Sequence, residues 1–242
     1  MTREADIVRS LVEMADTLVD DYDVVDLLTG LTGRCVNLLG ASAAGVMLAA
    51  PSGRLGLVAS SSEAMRLLEL FELQSQEGPC LDAFRSGETV EHEILTAGAG
   101  RWLEFTRAAL EAGFRSAFAI PLRWRDGTLG ALNILSASQE PMPEADRIVA
   151  RAFADLAAVS IVQYRATAEA RRLNEQLSAA LSSRIVIEQA KGVISERAAI
   201  SLAEAFERLR RYARSNNLRL TDVARDAVNG TLDNDAWRPP PE

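Results

Sequence analysis

Cysteine is nearly absent from this chain, which carries only Cys35 and Cys80. Two thiols cannot build a disulfide framework, and their scarcity fits a reducing compartment. Histidine is scarcer still. His92 stands alone, which excludes a multi-histidine metal centre and any zinc site of ordinary ligand spacing. A serine–histidine–aspartate device would have to use it, and Glu91-His92-Glu93 has no nucleophile motif beside it. Haem ligation would rest on the same lone residue. Lysine is reduced to Lys191, the other 25 basic residues being arginine. A bias spread over the whole chain reads as genomic, so it carries no functional weight.

Long apolar runs are missing as well. The longest stretches, such as Ala43 to Ala50, fall far short of the roughly 20 residues a membrane-spanning helix needs. The opening Met1-Thr-Arg-Glu-Ala-Asp leads into an amphipathic, acidic segment without an apolar signal core. A cytoplasmic location without a membrane partner is expected. No Walker loop and no dinucleotide fingerprint occur, and the Gly98-Ala99-Gly100 pair is too sparse to stand for one. Without nucleophile, metal or phosphate motifs, the chain reads as a non-enzyme, and no metal is expected.

What is present is ample material for a core: 48% of residues are apolar and 25% are charged. The net charge of −8 argues against general coating of nucleic acid or anionic membrane. That total hides an asymmetry. From Arg184 to Asp226 there are nine basic and six acidic residues, about +3, which leaves the remainder near −11. Such a contrast points to a nucleic-acid surface.

Periodicity predicts helices over Ile7–Val19 and Asp23–Leu39, the second stopped by Gly40. Runs of strand character at Ala44–Ala50 and Leu55–Ser60 flank Pro51-Ser52-Gly53, a hairpin signature. A helix over Glu63–Leu73, a short one opened by Pro79, a strand over Thr89–Ile94 and a helix over Arg101–Ala112 follow. Two better strands, Ser116–Leu122 and Thr128–Ser136, precede a long helix from Glu144. This order predicts an α+β fold, an antiparallel sheet flanked by helices.

Beyond Tyr164 the helix is expected to continue through 166–182. There Ala166, Ala170, Leu173, Leu177 and Ala180, with Leu181 alongside, recur at heptad-like spacing. The segment reads equally as a helical linker or as a short coiled coil in a homodimer. Three short helices are predicted after it. Ser183 caps the first, Ser201-Leu-Ala-Glu204 is a capping box for the second, and Thr221 caps the third. Val186, Ile187, Ala190, Val193 and Ile194 make one apolar stripe, and Leu202, Ala205, Phe206, Leu209 and Ala213 another. Arg184, Lys191 and Ser195 flank the first stripe, and Arg210, Arg211 and Arg214 share an arc on the second helix with Glu207. Charge spacing alone leaves a solvated face and an RNA surface both open. The tail 231–242 is expected to be disordered.

These residues carry a family resemblance. Ser183-Arg-Ile-Val-Ile-Glu-Gln-Ala-Lys-Gly-Val-Ile-Ser-Glu-Arg197, with Ala205-Phe206, Leu209-Arg210, Ala213, Asn217 and Val223-Ala224, resembles the ANTAR family of three-helix RNA-binding modules that prevent transcription termination. The resemblance implies recognition of tandem hexaloop stem-loops in RNA, with an indirect effect on the transcription machinery. By position it makes Gln189, Lys191, Gly192, Arg210, Arg211 and Asn217 RNA-facing, and Arg214 joins them on geometry. Ala190 and Phe206 are read as core.

Upstream, Glu77-Gly78-Pro79-Cys80, Phe118-Ala-Ile-Pro-Leu122 and Gly130-Ala-Leu-Asn-Ile-Leu135 resemble a GAF domain. That implies a sensor whose input is a small-molecule ligand, a redox change or a partner, with the ligand's identity unknown. Cys80, Trp102 and Phe118 are candidate pocket or sensing residues, although a buried structural role accounts for each of them too. The expected organisation is 1–165 sensor, 166–182 helical linker, 183–230 RNA-binding module and 231–242 tail. The expected function is signal-responsive antitermination. A DNA-binding regulator and a signalling protein acting through protein contacts are the alternatives.

Overall fold

The structure, a computed structural model, describes residues 2–16, 22–98 and 101–232, except the side chains of His92 and Glu93. The end of the first expected helix at Val19, the last two residues of the 98–100 loop, the His92 side chain and the tail from 233 onward lie outside the described residues. The chain divides into two compact units, Met1–Ala166 and Thr167–Glu242.

In the first unit, α1 (Arg3–Asp16) and α2 (Val24–Leu39) precede the hairpin of β1 (Ala43–Ala49) and β2 (Leu55–Ser60). Next come α3 (Glu63–Ser75), α4 (Pro79–Ser86), β3 (Val90–Ile94), α5 (Leu103–Glu111), β4 (Ser116–Trp124) and β5 (Gly127–Ser136). The sheet is antiparallel throughout, in the order β2-β1-β5-β4-β3. Local chemistry explains the punctuation. Asp23 caps α2 by accepting the Val25 N–H, and Gly40 ends the helix in the left-handed conformation. Ser62 does the same for α3 through the Met65 N–H.

Both sheet faces are covered, so the central strands read as continuous apolar runs instead of alternating ones. Phe118, Ile120 and Leu122 of β4 and Leu132 and Ile134 of β5 face α1, α2 and the start of α6 (Glu144–Ala198). Their neighbours Ala117, Ala119, Ala131 and Leu135 face α3, α4 and α5. Pro121 is tolerated in β4 because the β3 pairing ends at Ala119, leaving its missing N–H without a ladder partner to lose.

The second unit holds the end of α6, then α7 (Leu202–Ser215) and α8 (Leu220–Asn229). Ala190, Ile194, Ala205, Leu209, Ala213, Val223, Ala224 and Ala227 are its buried core, five alanines among eight residues. Four sequence expectations need correction here. Ser183 does not cap a new helix, because α6 runs unbroken for 55 residues. No proline or glycine lies between Glu144 and Gly192, and a mid-helix serine costs only a few tenths of a kcal/mol. Thr221 is not the cap of α8: the Asp222 and Val223 N–H groups donate to the Arg219 carbonyl, which starts the helix earlier. Leu202 is 53% exposed, since it opens α7 one turn before Ala205, the first residue to reach the core. The capping box is also redirected. Ser201 Oγ accepts the Glu204 N–H at 3.2 Å, but the Glu204 carboxylate pairs with Arg208.

Candidate functional site

On the C-terminal unit the basic residues fall into two groups. Lys191 is half-buried, its Nζ 2.8 Å from Glu188 Oε2 and 5.8 Å from the centroid of the Phe206 ring. Phe206 is therefore only partly core; it forms a ledge beneath the ammonium group. Arg210 and Arg214 stand one and two turns further along the same row of α7. Lys191, Phe206, Arg210 and Arg214 thus form one strip. Arg211 lies beside it on the outward face, and among the described residues the side chains of Arg211 and Arg214 have no ion-pair partner. Among the described residues Glu207 reaches only Arg210, at 4.0 Å.

Gln189 is not part of that strip. It precedes Lys191 by two residues, which places it roughly 160° around the helix on the other flank of the apolar stripe. Asn217 has a reason of its own to be asparagine. Its φ of 53° is left-handed, and with the Leu218 N–H donating to the Ala213 carbonyl at 2.8 Å it closes α7. Gly192 has no such reason. A Cβ there would meet nothing within 4 Å, so neither packing nor backbone conformation inside the unit calls for glycine.

On the N-terminal unit, Cys80 and Trp102 share the cluster beneath α3, α4 and α5, while Phe118 belongs to the opposite face. The three do not line one pocket. The Cys80 thiol is fully buried and donates to the Ala131 carbonyl at 3.6 Å. Burial, aided by the Glu72 and Glu69 carboxyls, holds it well above the usual thiol range, so it stays protonated. Cys35 is core, and burial pushes its thiol up to about 12.

The layer around Cys80 contains acidic groups that pattern reading passed over. Met65, Leu68, Glu69 and Glu72 are the buried stripe of α3, so two glutamates occupy core positions. Glu72 Oε1 accepts the Leu81 N–H at 3.0 Å, and Asn133 Nδ2 lies 3.4 Å from its other oxygen. Burial pushes Glu72 up to about 8, against the pull of the Leu81 and Cys80 N–H groups. Burial, with Glu72 beside it, raises Glu69 well above the carboxylate range. Gly45 admits Glu69, because a Cβ there would stand 2.2 Å from its carboxylate. Gly45 pairs with Asn133 across the β1–β5 ladder, so both carboxyls and the amide gather on one patch of sheet.

This explains the Glu77-Gly78-Pro79-Cys80 motif physically. Gly78, at φ 150°, makes room for Glu72, whose carboxyl replaces a side-chain cap at the start of α4. Glu77 Oε1 takes the Glu104 and Phe105 N–H groups at the start of α5. Asp82 holds the Trp102 Nε1 at 2.9 Å and Arg101 at 2.8 Å. Three carboxyl groups thereby stitch α3, α4 and α5 together over the sheet. The signal was available in the phase of α3, where glutamate falls at i+4 and i+7 from Met65.

The geometry defines a sensor-type α+β domain joined to a helical module with an arginine-rich face. A GAF-domain family model matches residues 21–162 and an ANTAR-domain model matches 175–228. The chain belongs to the GAF and ANTAR domain-containing proteins, in which the GAF part is a sensor module and the ANTAR part an RNA-binding regulatory one. None of the curated proteins matches the chain. Among solved structures it is similar to the GAF domain of a phosphoenolpyruvate-protein phosphotransferase from Coxiella burnetii, 16% identical over 67% of this chain and 96% of that one, with TM-score 0.52. It is also similar to the phycocyanobilin-bound GAF domain of a cyanobacterial phytochrome, 16% identical over 69% and 97%, TM-score 0.52. A third likeness is to free methionine-R-sulfoxide reductase from Neisseria meningitidis in complex with its substrate, 17% identical over 69% and 95%, TM-score 0.51. At these identities the likeness carries the fold alone. No helix among the described residues is long and apolar enough to cross a membrane.

Proposed function

We propose that this protein is a signal-responsive transcription antitermination regulator that binds paired hexaloop stem-loops in nascent RNA. The observation that carries the reading is the exposed strip of Arg210 and Arg214, with Arg211 beside it and Lys191 resting on Phe206. The guanidinium groups of Arg211 and Arg214, without an ion-pair partner among the described residues, can contact phosphates and stack on splayed bases, which is how single-stranded loops are read. Gly192 supports it further. A helix-interior glycine costs about 0.5–1 kcal/mol relative to alanine, and its open outer face leaves room for a partner to approach the backbone.

Two modules on one RNA raise the effective concentration of the second contact. We assign the pairing to a homodimer through α6, where Leu173, Leu177 and Leu181 are 53%, 56% and 63% exposed at heptad-like spacing. The GAF domain then biases RNA binding in response to its input.

The test is a titration of the full-length protein with an RNA carrying two adjacent hexaloop stem-loops. A loop-scrambled RNA and a duplex DNA are run beside it at the same salt, because phosphate contacts make affinity salt-dependent. Preference for the paired-loop RNA supports the reading. Preference for the duplex identifies a DNA-binding regulator instead.

A further inference from the structure

A cleft of 460 Å³ opens in the first unit between the β1–β2 turn, the C-terminal end of α3 and helix α4. Its size is within the range of small-molecule sites. The floor is apolar, formed by Leu55, Leu73, Leu81 and Phe84. Its charged groups are Arg54, on the turn, and Arg85, on α4, and no carboxylate lines it. That is unusual for this unit, where 23 Asp and Glu outnumber 14 Arg. Arg54 has no ion-pair partner among the described residues, and Arg85 donates only to neutral oxygens, the Gln76 carbonyl at 3.3 Å and Gln76 Oε1 at 3.0 Å. Two guanidinium groups above an apolar floor, both without a counter-charge, match a molecule with an apolar body and one anionic end.

We propose that this cleft binds a small amphipathic organic anion and is the input site of the GAF domain; the second half rests on reading that domain as a sensor. The site is wired to the core. Leu81 lines the cleft while its N–H holds Glu72 on the inner side. Gln76, which Arg85 ties to α4, sits at φ 60° where α3 ends. An anion drawn in by Arg54 and Arg85 competes for the Gln76 tie and bridges the hairpin to α4, which shifts the α3–α4 junction.

The experiment is a calorimetric titration of the full-length protein with naphthalene-2-carboxylate, naphthyl phosphate and decanoate, alongside the neutral naphthalene-2-carboxamide and decanol. At least one anion is expected to bind at least tenfold more tightly than its neutral counterpart. Arg54→Gln is expected to weaken that anion about tenfold and Arg54→Glu to abolish binding, with the melting temperature of both variants unchanged because the Arg54 side chain is exposed and has no ion-pair partner among the described residues. The carboxylate and phosphate arms distinguish the two sources of negative charge. Equal binding of anion and neutral form, indifference to Arg54→Glu, or no binding by any anion overturns the proposal. The sensor reading fails separately: RNA affinity is measured with each probe and with a panel of amines and nucleosides. An effect of the panel without an effect of the anions discards the cleft and keeps the sensor.

Discussion

The backbone N–H of Leu81 donates to Glu72 Oε1 at 3.0 Å, joining the start of one helix to a fully buried carboxyl on the helix before it. A carboxyl in that position has its charged form penalised by burial and favoured by the N–H groups it accepts. Burial wins. The α3–α4 junction is therefore built around acid groups that hold their protons at pH values where exposed glutamates have lost them.

Stability should consequently depend on pH in an uncommon direction. Glu72 is raised from 4.5 to about 8 on folding, and Glu69 is raised as well. Above pH 4.5 the unfolded chain releases protons that the folded one keeps, so this contribution is complete below 4.5 and is lost as pH rises toward about 8. The loss is roughly 1.4 kcal/mol per pH unit for each group within its window. Urea unfolding at a series of pH values checks this. Glu69→Gln should flatten the decline and be more stable than the parent at alkaline pH.

Gly192→Ala should move stability and binding in opposite directions. The added methyl meets open space, so the melting temperature should rise with a gain of about 0.5–1 kcal/mol. Affinity for the paired-loop RNA should fall. Thermal unfolding and RNA titration of the same preparation give both readings.

Arg211→Gln combined with Arg214→Gln should leave the fold unchanged, since neither side chain has an ion-pair partner among the described residues. Each phosphate contact removed lowers the salt slope of RNA binding by about 0.7. A slope indifferent to the double substitution would relocate the RNA to another face.

Asn217 separates two explanations of one residue. If its left-handed φ of 53° is what the position requires, Asn217→Gly keeps stability and Asn217→Ala loses about 1 kcal/mol, with RNA affinity unchanged in the glycine variant. Loss of RNA affinity in Asn217→Gly at undiminished stability would make the side chain an RNA contact.

Much of the fold was legible because the punctuation is local. Asp23, Gly40, Ser62 and Ser201 end or begin their helices through their own backbone and side-chain geometry. The errors came where a local signal lost to its surroundings. Ser183 looks like a cap, but no helix breaker precedes it, and Leu202 has the right phase at the wrong end of its helix. Phe118 and Cys80 both look like pocket residues, but Phe118 of β4 faces the cluster under α1 and α2 while Cys80, on α4, packs over the other side of the sheet. Glu69 and Glu72 were hidden by their type, since a glutamate on a helix is read as solvated until its phase is counted against the apolar stripe.

Five alanines in the core of the C-terminal bundle set how that bundle relates to its RNA. An alanine brings little apolar area out of water, at about 25 cal/mol per Å², so each of these five positions contributes less to folding than a larger apolar residue would. In such a module a bound RNA would act as part of the scaffold. Saturation at a hundredfold above Kd adds about 2.7 kcal/mol to the folded state, a large share for so lean a core. Transcripts would then govern how long the regulator survives proteolysis as well as where it acts, making target abundance an input in its own right.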